Sequence, residues 1–356
     1  MRNITHLRRT LLVLTALLAV LPAAPALAGT ANAGLPGASG ANPLSGLRFG
    51  TYHTPSREPS IDAPSAYSNT ARSAADRGTF AKLLDQPRFR WFTSGVATFH
   101  QSNGKFGARE AAARYVQDVT HGNRNVGVQV AIFRLEPFEQ GACGRLPTRA
   151  QQADYKRWIS EFARGLGRAR TALILQPDMP FTLCLPHGSN IDLKLIDWTA
   201  RTFNALEHTT VYIDGSAIDY LSAAKAADML RRADIRRVRG FALDLTHFSS
   251  SSDQVSYGHA IQRELRKRGI RGKHFLVDTA QNGAPFTVFR HRGAFRSGAA
   301  CTRGGQKYCV TLGRPPQITR SGDVDGYVWS GRPWVNGRPA RGYTELLRLI
   351  RSSPFF

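Results

Sequence analysis

The sequence has few acidic residues, few cysteines and a single long apolar run. Asp and Glu number 25 against 48 Lys and Arg, so the chain is strongly basic. No glycine-rich phosphate loop follows the first predicted strand, which argues against a dinucleotide-binding sheet. No nucleic-acid-binding motif accompanies the densest basic run, "RRADIRRVRG", so we expect no nucleic-acid partner.

The long apolar run lies at the amino terminus. Three arginines precede "LLVLTALLAVL", and the small-residue stretch "AAPALAG" follows it. This pattern is typical of a secretory signal peptide, cleaved after Ala28 or, alternatively, after Ala33. The run is too short for a stable membrane span. We therefore expect a signal peptide over 1–28, a flexible Gly/Ala/Ser-rich leader over 29–41 and a secreted folded domain over 42–356.

The positive charge is large even for the mature protein. The formal charge of +23 falls to +20 when the three arginines of the signal peptide are removed. Such a protein is expected to adhere to anionic surfaces, such as wall polymers or acidic polysaccharides. General solvation by arginines spread along the chain is the alternative explanation.

Four cysteines, an even number in an exported chain, predict two disulfides. Four cysteines allow three pairings, and proximity in the sequence favours Cys143–Cys184 and Cys301–Cys309. In the chain-entropy model the first of these would stabilise the fold by about 4 kcal/mol. Buried free thiols are the alternative, and the spacings do not indicate a zinc site.

Continuous apolar strand-like runs alternate with amphipathic helical patterns, which predicts an α/β fold with a parallel sheet covered by helices. About seven such units at regular spacing favour a β/α barrel over an open sheet. The predicted strands are "FRWFTSGV" (89–96), "VGVQVAIFRL" (126–135), "TALILQ" (171–176), "TTVYID" (209–214), "GFALDLT" (240–246), "KHFLVDT" (273–279) and "DGYVWS" (325–330).

Polar or aromatic side chains stand at or just past the ends of five predicted strands. These residues are Asp178, Asp214, Asp244, Asp278 and Trp329. In a β/α barrel the carboxyl ends of the strands converge on one mouth, where active sites are built. A single strand-end aspartate usually caps a helix, but several that converge indicate a functional site.

The motifs, taken in order, resemble glycoside hydrolase family 6, the cellobiohydrolases and endoglucanases of cellulose breakdown. "LILQPDMP" is similar to that family's strand ending in Glu-Pro-Asp, and "VYIDGSAIDY" to its Leu-Asp-Ala-Gly-His segment. "GFALDLTHF", "KHFLVDTAQNG" and "VDGYVWSGRPW" continue the series. The resemblance implies a distorted seven-stranded parallel barrel that hydrolyses β-1,4-glucan with inversion, without a metal or cofactor. In such enzymes the two carboxyl groups stand about 6.5–9.5 Å apart.

The resemblance also implies roles for two aspartates. Asp178 falls on the family's catalytic acid, and Asp214 falls on a second aspartate beside it. An acid that donates near neutral pH needs its pKa raised by an apolar wall or a neighbouring carboxylate, and a barrel mouth supplies both. Pro177 would make the approach to Asp178 rigid. The alternative for Asp178 is a helix cap.

Sugar rings pack on flat aromatic side chains, and the resemblance implies three such platforms. Trp91 matches a family tryptophan, Tyr220 falls where another is frequent, and Trp329 stands at the last strand end. His247 is placed to hydrogen-bond a sugar hydroxyl. Core packing is the alternative for each aromatic, and a structural role is the alternative for the histidine.

The sequence departs from the family pattern at two places that bear on catalysis. The family's Arg-Asp-Cys, whose aspartate helps to tune the acid, is Gly-Ala-Cys here, so Glu139, or else Glu136, is the candidate substitute; exposure of both to solvent is the alternative. Near the last strand, Arg332 stands close to a family lysine and Asn336 close to the family's proposed base. Asparagine cannot deprotonate water, so we expect Arg332 and Asn336 to bind substrate.

Three functions remain open from the sequence. A shortened loop near the second cysteine pair predicts an open groove, and hence a secreted β-glucanase that cleaves within chains. A polysaccharide-binding protein that has lost its base is the second hypothesis. The third is a hydrolase or lyase for an acidic polysaccharide, in which Arg134 and Arg332 would recognise carboxylates.

Overall fold

The structure is a computed structural model that describes residues 41–53, 59–93, 107–135, 143–335 and 341–356. The strands in these ranges are β1 (Arg48–Phe49), β2 (Arg90–Thr93), β3 (Val126–Phe133), β4 (Thr171–Leu175), β5 (Thr209–Asp214), β6 (Gly240–Leu243), β7 (His274–Asp278), β8 (Gln317–Ile318) and β9 (Val324–Val328).

The α-helices follow the predicted alternation with the strands. They are α1 (Pro59–Asn69), α2 (Ala74–Leu84), α3 (Ala108–Thr120), α4 (Arg149–Leu166), α5 (Ile191–Asn204), α6 (Ala223–Arg232), α7 (Ser251–Lys267), α8 (Arg292–Ser297) and α9 (Tyr343–Arg351). No helix in the described ranges is both long and apolar enough to cross a lipid bilayer.

Seven strands form one curled parallel sheet in the order β2, β3, β4, β5, β6, β7, β9. β8 pairs antiparallel with β9 at the edge, and β1 pairs with the beginning of β3. The Phe89 N–H donates to the Trp329 carbonyl at 2.9 Å, which joins the two outer parallel strands at one point. The predicted α/β class, with seven parallel strands in a distorted barrel, is confirmed.

Both faces of the sheet are buried, which explains why its strands are apolar without alternation. Side chains from the outer face pack against α3 to α7 in the largest apolar cluster. Side chains from the inner face fill the barrel with a second cluster, which includes Ala131, Ile174, Tyr212, Ala242, Leu276 and Val328.

A buried ion pair fills the amino-terminal end of the barrel. Arg239 donates to both carboxylate oxygens of Asp325, at 2.8 and 2.9 Å, and the Tyr212 hydroxyl donates to the same carboxylate at 2.7 Å. Breaking such a pair would leave an uncompensated buried charge. These contacts join β5, β9 and the beginning of β6 at the amino-terminal end of the barrel.

The predicted disulfide pairing is confirmed: Cys143 bonds to Cys184, and Cys301 bonds to Cys309. Cys184 ends a short 3₁₀ helix, Met179–Cys184, that begins directly after Asp178. The first disulfide thus ties the chain beyond β4 to the chain beyond β3, next to the predicted acid.

Candidate active site

Four aspartates lie at the carboxyl ends of four neighbouring strands. Asp178 follows β4, Asp214 ends β5, Asp244 follows β6 and Asp278 ends β7. Asp214, Asp244 and Asp278 are buried, and Asp178 is half-buried. Because parallel strands end at the same edge of a sheet, the fold collects these carboxyl groups at one mouth, as the strand order predicts.

A cavity of about 630 Å³ opens at this mouth. Asp178, Asp244 and Asp278 line it together with Trp91 and His247. Pockets of this size hold small ligands or parts of larger ones. A smaller cavity beside Asp178 is lined by Asp214, Ser216 and Tyr220, among others.

The backbone around Asp178 adopts an unfavourable conformation. Gln176 and Asp178 both have left-handed φ values, 53° and 64°, on either side of Pro177. Non-glycine residues pay roughly 1–2 kcal/mol for this conformation, and such strain is concentrated at functional sites. The Gln176 amide oxygen compensates by accepting hydrogen bonds from the Arg134 and Leu135 N–H groups, each at 3.3 Å.

The Asp178 side chain does not cap the helix that follows it. Its carboxylate makes no capping hydrogen bond to Met179–Cys184 and instead accepts one from the Thr246 hydroxyl at 2.7 Å. Burial raises the pKa of Asp178 above its ordinary value, while the Thr246 hydrogen bond and the charge of His247 act in the opposite direction. The group is thus a partly dehydrated carboxyl in a cavity wall.

Asp214 holds the Asp178 loop in place. One of its carboxylate oxygens accepts the Ser216 N–H at 2.7 Å, and the other accepts the Met179 N–H at 3.1 Å. Burial raises the pKa of Asp214 to about 7, and the charge of Asp178 adds to the rise. Two carboxyl groups coupled in this way titrate as a pair, so neither can be assigned a titration of its own.

Asp244 and Asp278 were predicted only as strand-end residues, and the structure places both in the cavity wall. Asp244 accepts the Gln254 side-chain amide at 2.7 Å; burial and then the charge of Asp278 raise its pKa well above the usual range. Burial raises the pKa of Asp278 to about 7. Its carboxylate also accepts a hydrogen bond from the Ser330 hydroxyl.

His247 is anchored by a residue that the sequence analysis missed. Its Nδ1 lies 2.8 Å from Asp219 Oδ1, and the other oxygen of Asp219 accepts the Val288 N–H at 2.7 Å. The imidazole lines both cavities and stands 5.6 Å from the Tyr220 ring. Asp219 follows Asp214 by five positions in "DGSAID", but nothing in that pattern reveals the contact with His247.

Two of the aromatic residues predicted to bind sugar, Trp91 and Tyr220, are accessible at the cavities. Trp91 is half-buried in the main cavity wall, where its indole N–H donates to the Ser330 carbonyl. Tyr220 is 38% exposed and packs against Phe181 and Phe289, two exposed rings that the sequence analysis did not select.

The structure contradicts the prediction made for Trp329. It is completely buried, and its indole N–H donates to the Arg314 carbonyl at 3.1 Å, so no face of the ring is open to a sugar. The prediction that Trp329 binds substrate is wrong. Trp334, five positions further along the chain, is also completely buried. Both rings complete an apolar cluster beside the barrel.

Of the two arginines predicted to recognise carboxylates, one lines the main cavity and the other does not. Arg332 lines the main cavity, as does Arg296, which the sequence analysis did not select. Arg134 donates instead to Asp154 at 2.7 Å, and its guanidinium lies 5.8 Å from the Trp158 ring centre, away from the cavity lining. Glu136, Glu139 and Asn336 lie outside the described residues.

A curled parallel sheet with several buried carboxyl groups around an open cavity at its carboxyl edge is the architecture of a β/α-barrel enzyme. A family model described as glycosyl hydrolases family 6 matches residues 50–333. The chain therefore belongs to glycosyl hydrolase family 6.

Two relatives with known names match part of the chain. Endoglucanase 1 of Streptomyces halstedii is 28% identical over 212 residues, covering 57% of this chain and 61% of the relative. Endoglucanase A of Cellulomonas fimi is 26% identical over 279 residues, covering 76% of this chain and 55% of the relative. The matched part thus spans little more than half the length of each relative.

Solved structures of similar fold cover most of the chain. The endoglucanase Cel6 of Mycobacterium tuberculosis, in complex with methyl-cellobiosyl-4-deoxy-4-thio-β-D-cellobioside, has a TM-score of 0.64 and 21% identity; the match covers 88% of this chain and 98% of that one. Cellobiohydrolase II of Humicola insolens, in complex with glucose and cellotetraose, has a TM-score of 0.65 and 17% identity. That match covers 88% of this chain and 100% of the other. At these identities the likeness establishes the fold.

Proposed function

We propose that the chain is a secreted glycoside hydrolase that cleaves β-1,4-glucan within its chains and with inversion. The observation that carries the proposal is Asp178, a partly dehydrated carboxyl at the edge of an open cavity, held by Asp214 and Thr246. The names of the relatives, which are endoglucanases, support the substrate class.

Asp178 is the general acid in this reaction. Burial raises its pKa and so favours the protonated carboxyl, whose proton passes to the glycosidic oxygen as the bond to the anomeric carbon breaks. The negative charge that Asp214 carries in part stabilises the positive charge developing on the sugar ring. By general electrostatics, the same charge disfavours ionisation of Asp178.

Side chains around the cavity bind the glucan. The Trp91 ring packs against the C–H face of one sugar, and Tyr220, supported by Phe181 and Phe289, does the same for another. His247 and Arg332 hydrogen-bond sugar hydroxyls from the cavity wall. Asn336 has the same role by its position in the sequence.

Cleavage within chains, secretion and surface adhesion rest on the sequence. The shortened loop near Cys301 and Cys309 leaves a groove that a continuous chain can enter from the side. The signal peptide over 1–28 directs export, and the leader over 29–41 separates it from the domain. The mature charge of +20 holds the enzyme on anionic wall or matrix polymers.

A hydrolase for an acidic polysaccharide is the second candidate. Arg296 and Arg332 both line the main cavity, and guanidinium groups bind carboxylates well. Under this alternative, uronate polymers are cleaved and β-glucan is not, and activity falls steeply with salt.

Reducing ends released from soluble β-glucan test the proposal. We expect wild-type protein to release them, with a rapid fall in viscosity as chains are cut internally, and Asp178→Ala to release none. Binding to β-glucan without turnover would favour a non-catalytic binding protein. Release confined to uronate polymers would favour the second candidate.

A further inference from the structure

Asp278 and Ser330 form a hydrogen-bonded pair in the wall of the main cavity. The Ser330 hydroxyl donates to Asp278 Oδ2. Asp278 Oδ1 accepts two N–H groups, from Ala280 at 2.8 Å and from Ser330 at 3.2 Å, so both of its lone pairs are used. Both residues line the cavity that Asp178 also lines. The carboxylate is thus fixed in orientation, with Oδ2 bound to the Ser330 hydroxyl.

One short loop links this pair to Asp178. The Ser330 Oγ lies 3.2 Å from the Leu245 carbonyl, and the hydroxyl of the next residue, Thr246, donates to Asp178 at 2.7 Å. Because adjacent residues make these two contacts, Ser330 Oγ and the Asp178 carboxylate can be no more than roughly 11 Å apart. Inverting glycosidases place a sugar and a water between carboxyl groups separated by about 6.5–9.5 Å. A distance in that range between the Asp178 carboxylate and the hydroxyl that is hydrogen-bonded to Asp278 lies within this limit.

We propose that Asp278, acting through the Ser330 hydroxyl, is the base that activates the attacking water. The inference rests on the proposed function. The water oxygen bonds to the anomeric carbon while the glycosidic bond breaks and the leaving oxygen takes the proton of Asp178. One proton of the water passes to Ser330 Oγ as the Ser330 proton passes to Asp278 Oδ2. Asp278 ends neutral, Asp178 ends ionised, and solvent restores both.

The other two carboxyl groups on the cavity suit the role less well. The titratable and charged groups there are Asp178, Asp244, His247, Arg296 and Arg332. Asp178 supplies the acid. Burial keeps the pKa of Asp244 well above its usual range, so that carboxyl stays neutral and cannot accept the proton. Burial brings the pKa of Asp278 to about 7, which suits a base that works near neutral pH.

Azide rescue tests the role directly. Asp278→Asn retains the shape and the Oδ1 acceptor, so the fold should survive. With dinitrophenyl β-cellotrioside, whose leaving group needs no acid, we expect kcat to fall roughly 100- to 10,000-fold. Azide needs no deprotonation, so it should restore the rate and give the α-cellotriosyl azide. We expect kcat of Ser330→Ala to fall at least tenfold, because no hydroxyl then passes the proton of the water to Asp278.

A matched control is Asp192→Asn. Asp192 is also a buried aspartate, with its pKa raised by burial to about 6, but it lies on α5 and does not line the cavity. We expect its kcat to be unchanged. Binding of cellotriose should stay within threefold of wild type in all three variants, which separates loss of chemistry from loss of the site.

Four outcomes would overturn the role. A wild type that cleaves β-glucan, with Asp278→Asn equally fast, would remove Asp278 and leave the proposed function standing. Unchanged kcat in Ser330→Ala would remove the relay, a result that stands even if Asp278→Asn fails to fold. If kcat falls in Glu139→Gln and azide restores it, while Asp278→Asn shows no such loss and rescue, the base is Glu139. A wild type that cleaves no β-glucan would instead overturn the proposed function and this role together.

Discussion

Asp214 accepts a hydrogen bond at 3.1 Å from the backbone N–H of Met179, the residue directly after Asp178. One carboxylate thus holds the chain that carries the other. The contact holds the chain that carries Asp178 close to Asp214 in a buried environment where screening is weak, and the charge of Asp178 adds to the raised pKa of Asp214. Because such coupling is reciprocal, a charge on Asp214 raises the pKa of Asp178 as well. Position and protonation of the proposed acid therefore depend on the same neighbour.

Replacing Asp214 by Asn should lower the pKa of Asp178. A negative charge beside a carboxyl disfavours its ionisation, and the variant removes that charge while keeping the shape. Asp178 then loses its proton at lower pH, so the alkaline limb of the kcat/KM profile should move down in pH. The measurement is the pH dependence of kcat/KM on soluble β-glucan. An unchanged alkaline limb would show that Asp214 positions the loop without affecting the pKa of Asp178.

Replacing Thr246 by Val should move the same limb in the opposite direction. The Thr246 hydroxyl donates to Asp178 at 2.7 Å and so stabilises the ionised form. Valine has a similar shape but no donor, so the pKa of Asp178 should rise and the alkaline limb should move to higher pH. Opposite shifts in the Thr246 and Asp214 variants are the pattern that electrostatic control of Asp178 requires. Shifts of the same sign would argue against it.

Stability should decrease as pH rises from about 4 to about 7. Burial raises the folded-state pKa of Asp214 and Asp278 to about 7, whereas the unfolded value is near 4. In that range the folded state binds more protons than the unfolded state, so each group costs up to about 1.4 kcal/mol per pH unit as the pH is raised.

Urea unfolding at pH 5 and pH 8 measures this effect. The difference in the free energy of unfolding between the two pH values should be smaller in Asp278→Asn than in wild type, because asparagine does not titrate. Comparison with the variant removes the contribution of general charge repulsion, which both proteins share. Equal pH dependence in the two proteins would contradict the raised pKa of Asp278.

Trp91 and Trp329 should respond differently to replacement. Trp91→Ala should raise KM for cello-oligosaccharides about tenfold, because a platform for a sugar ring is lost from the cavity wall. Trp329→Phe should leave KM unchanged and lower the thermal unfolding midpoint, since Trp329 is completely buried and hydrogen-bonded to Arg314. A normal KM in Trp91→Ala would exclude it as a platform.

The strand positions and the strand-end aspartates were predictable because both depend on local patterns. Buried parallel strands are continuous apolar runs, and "TALILQ" and "TTVYID" end where the structure ends β4 and β5, to within a residue. The side chain that follows such a run lies at the carboxyl edge of the sheet, whatever the details of packing. The pairing of the four cysteines also followed from proximity in the sequence.

Exposure and long-range partners were not predictable in this way. Trp91 lies within β2 and Trp329 directly follows β9, yet the first borders the cavity and the second is sealed by packing that involves the distant residue Arg314. The contacts of Asp278 with Ser330 and of Asp178 with Thr246 join segments that are 52 and 68 positions apart. No periodicity in the sequence encodes such contacts.

The most direct test of the account compares Asp178→Asn with wild type on two substrates. On β-glucan, whose leaving group must be protonated, we predict that kcat falls roughly 100- to 10,000-fold. On dinitrophenyl β-cellotrioside, whose leaving group departs without a proton, the fall should be less than tenfold. Equal losses on both substrates, or full activity of Asp178→Asn on β-glucan, would contradict the assignment of Asp178 as the acid.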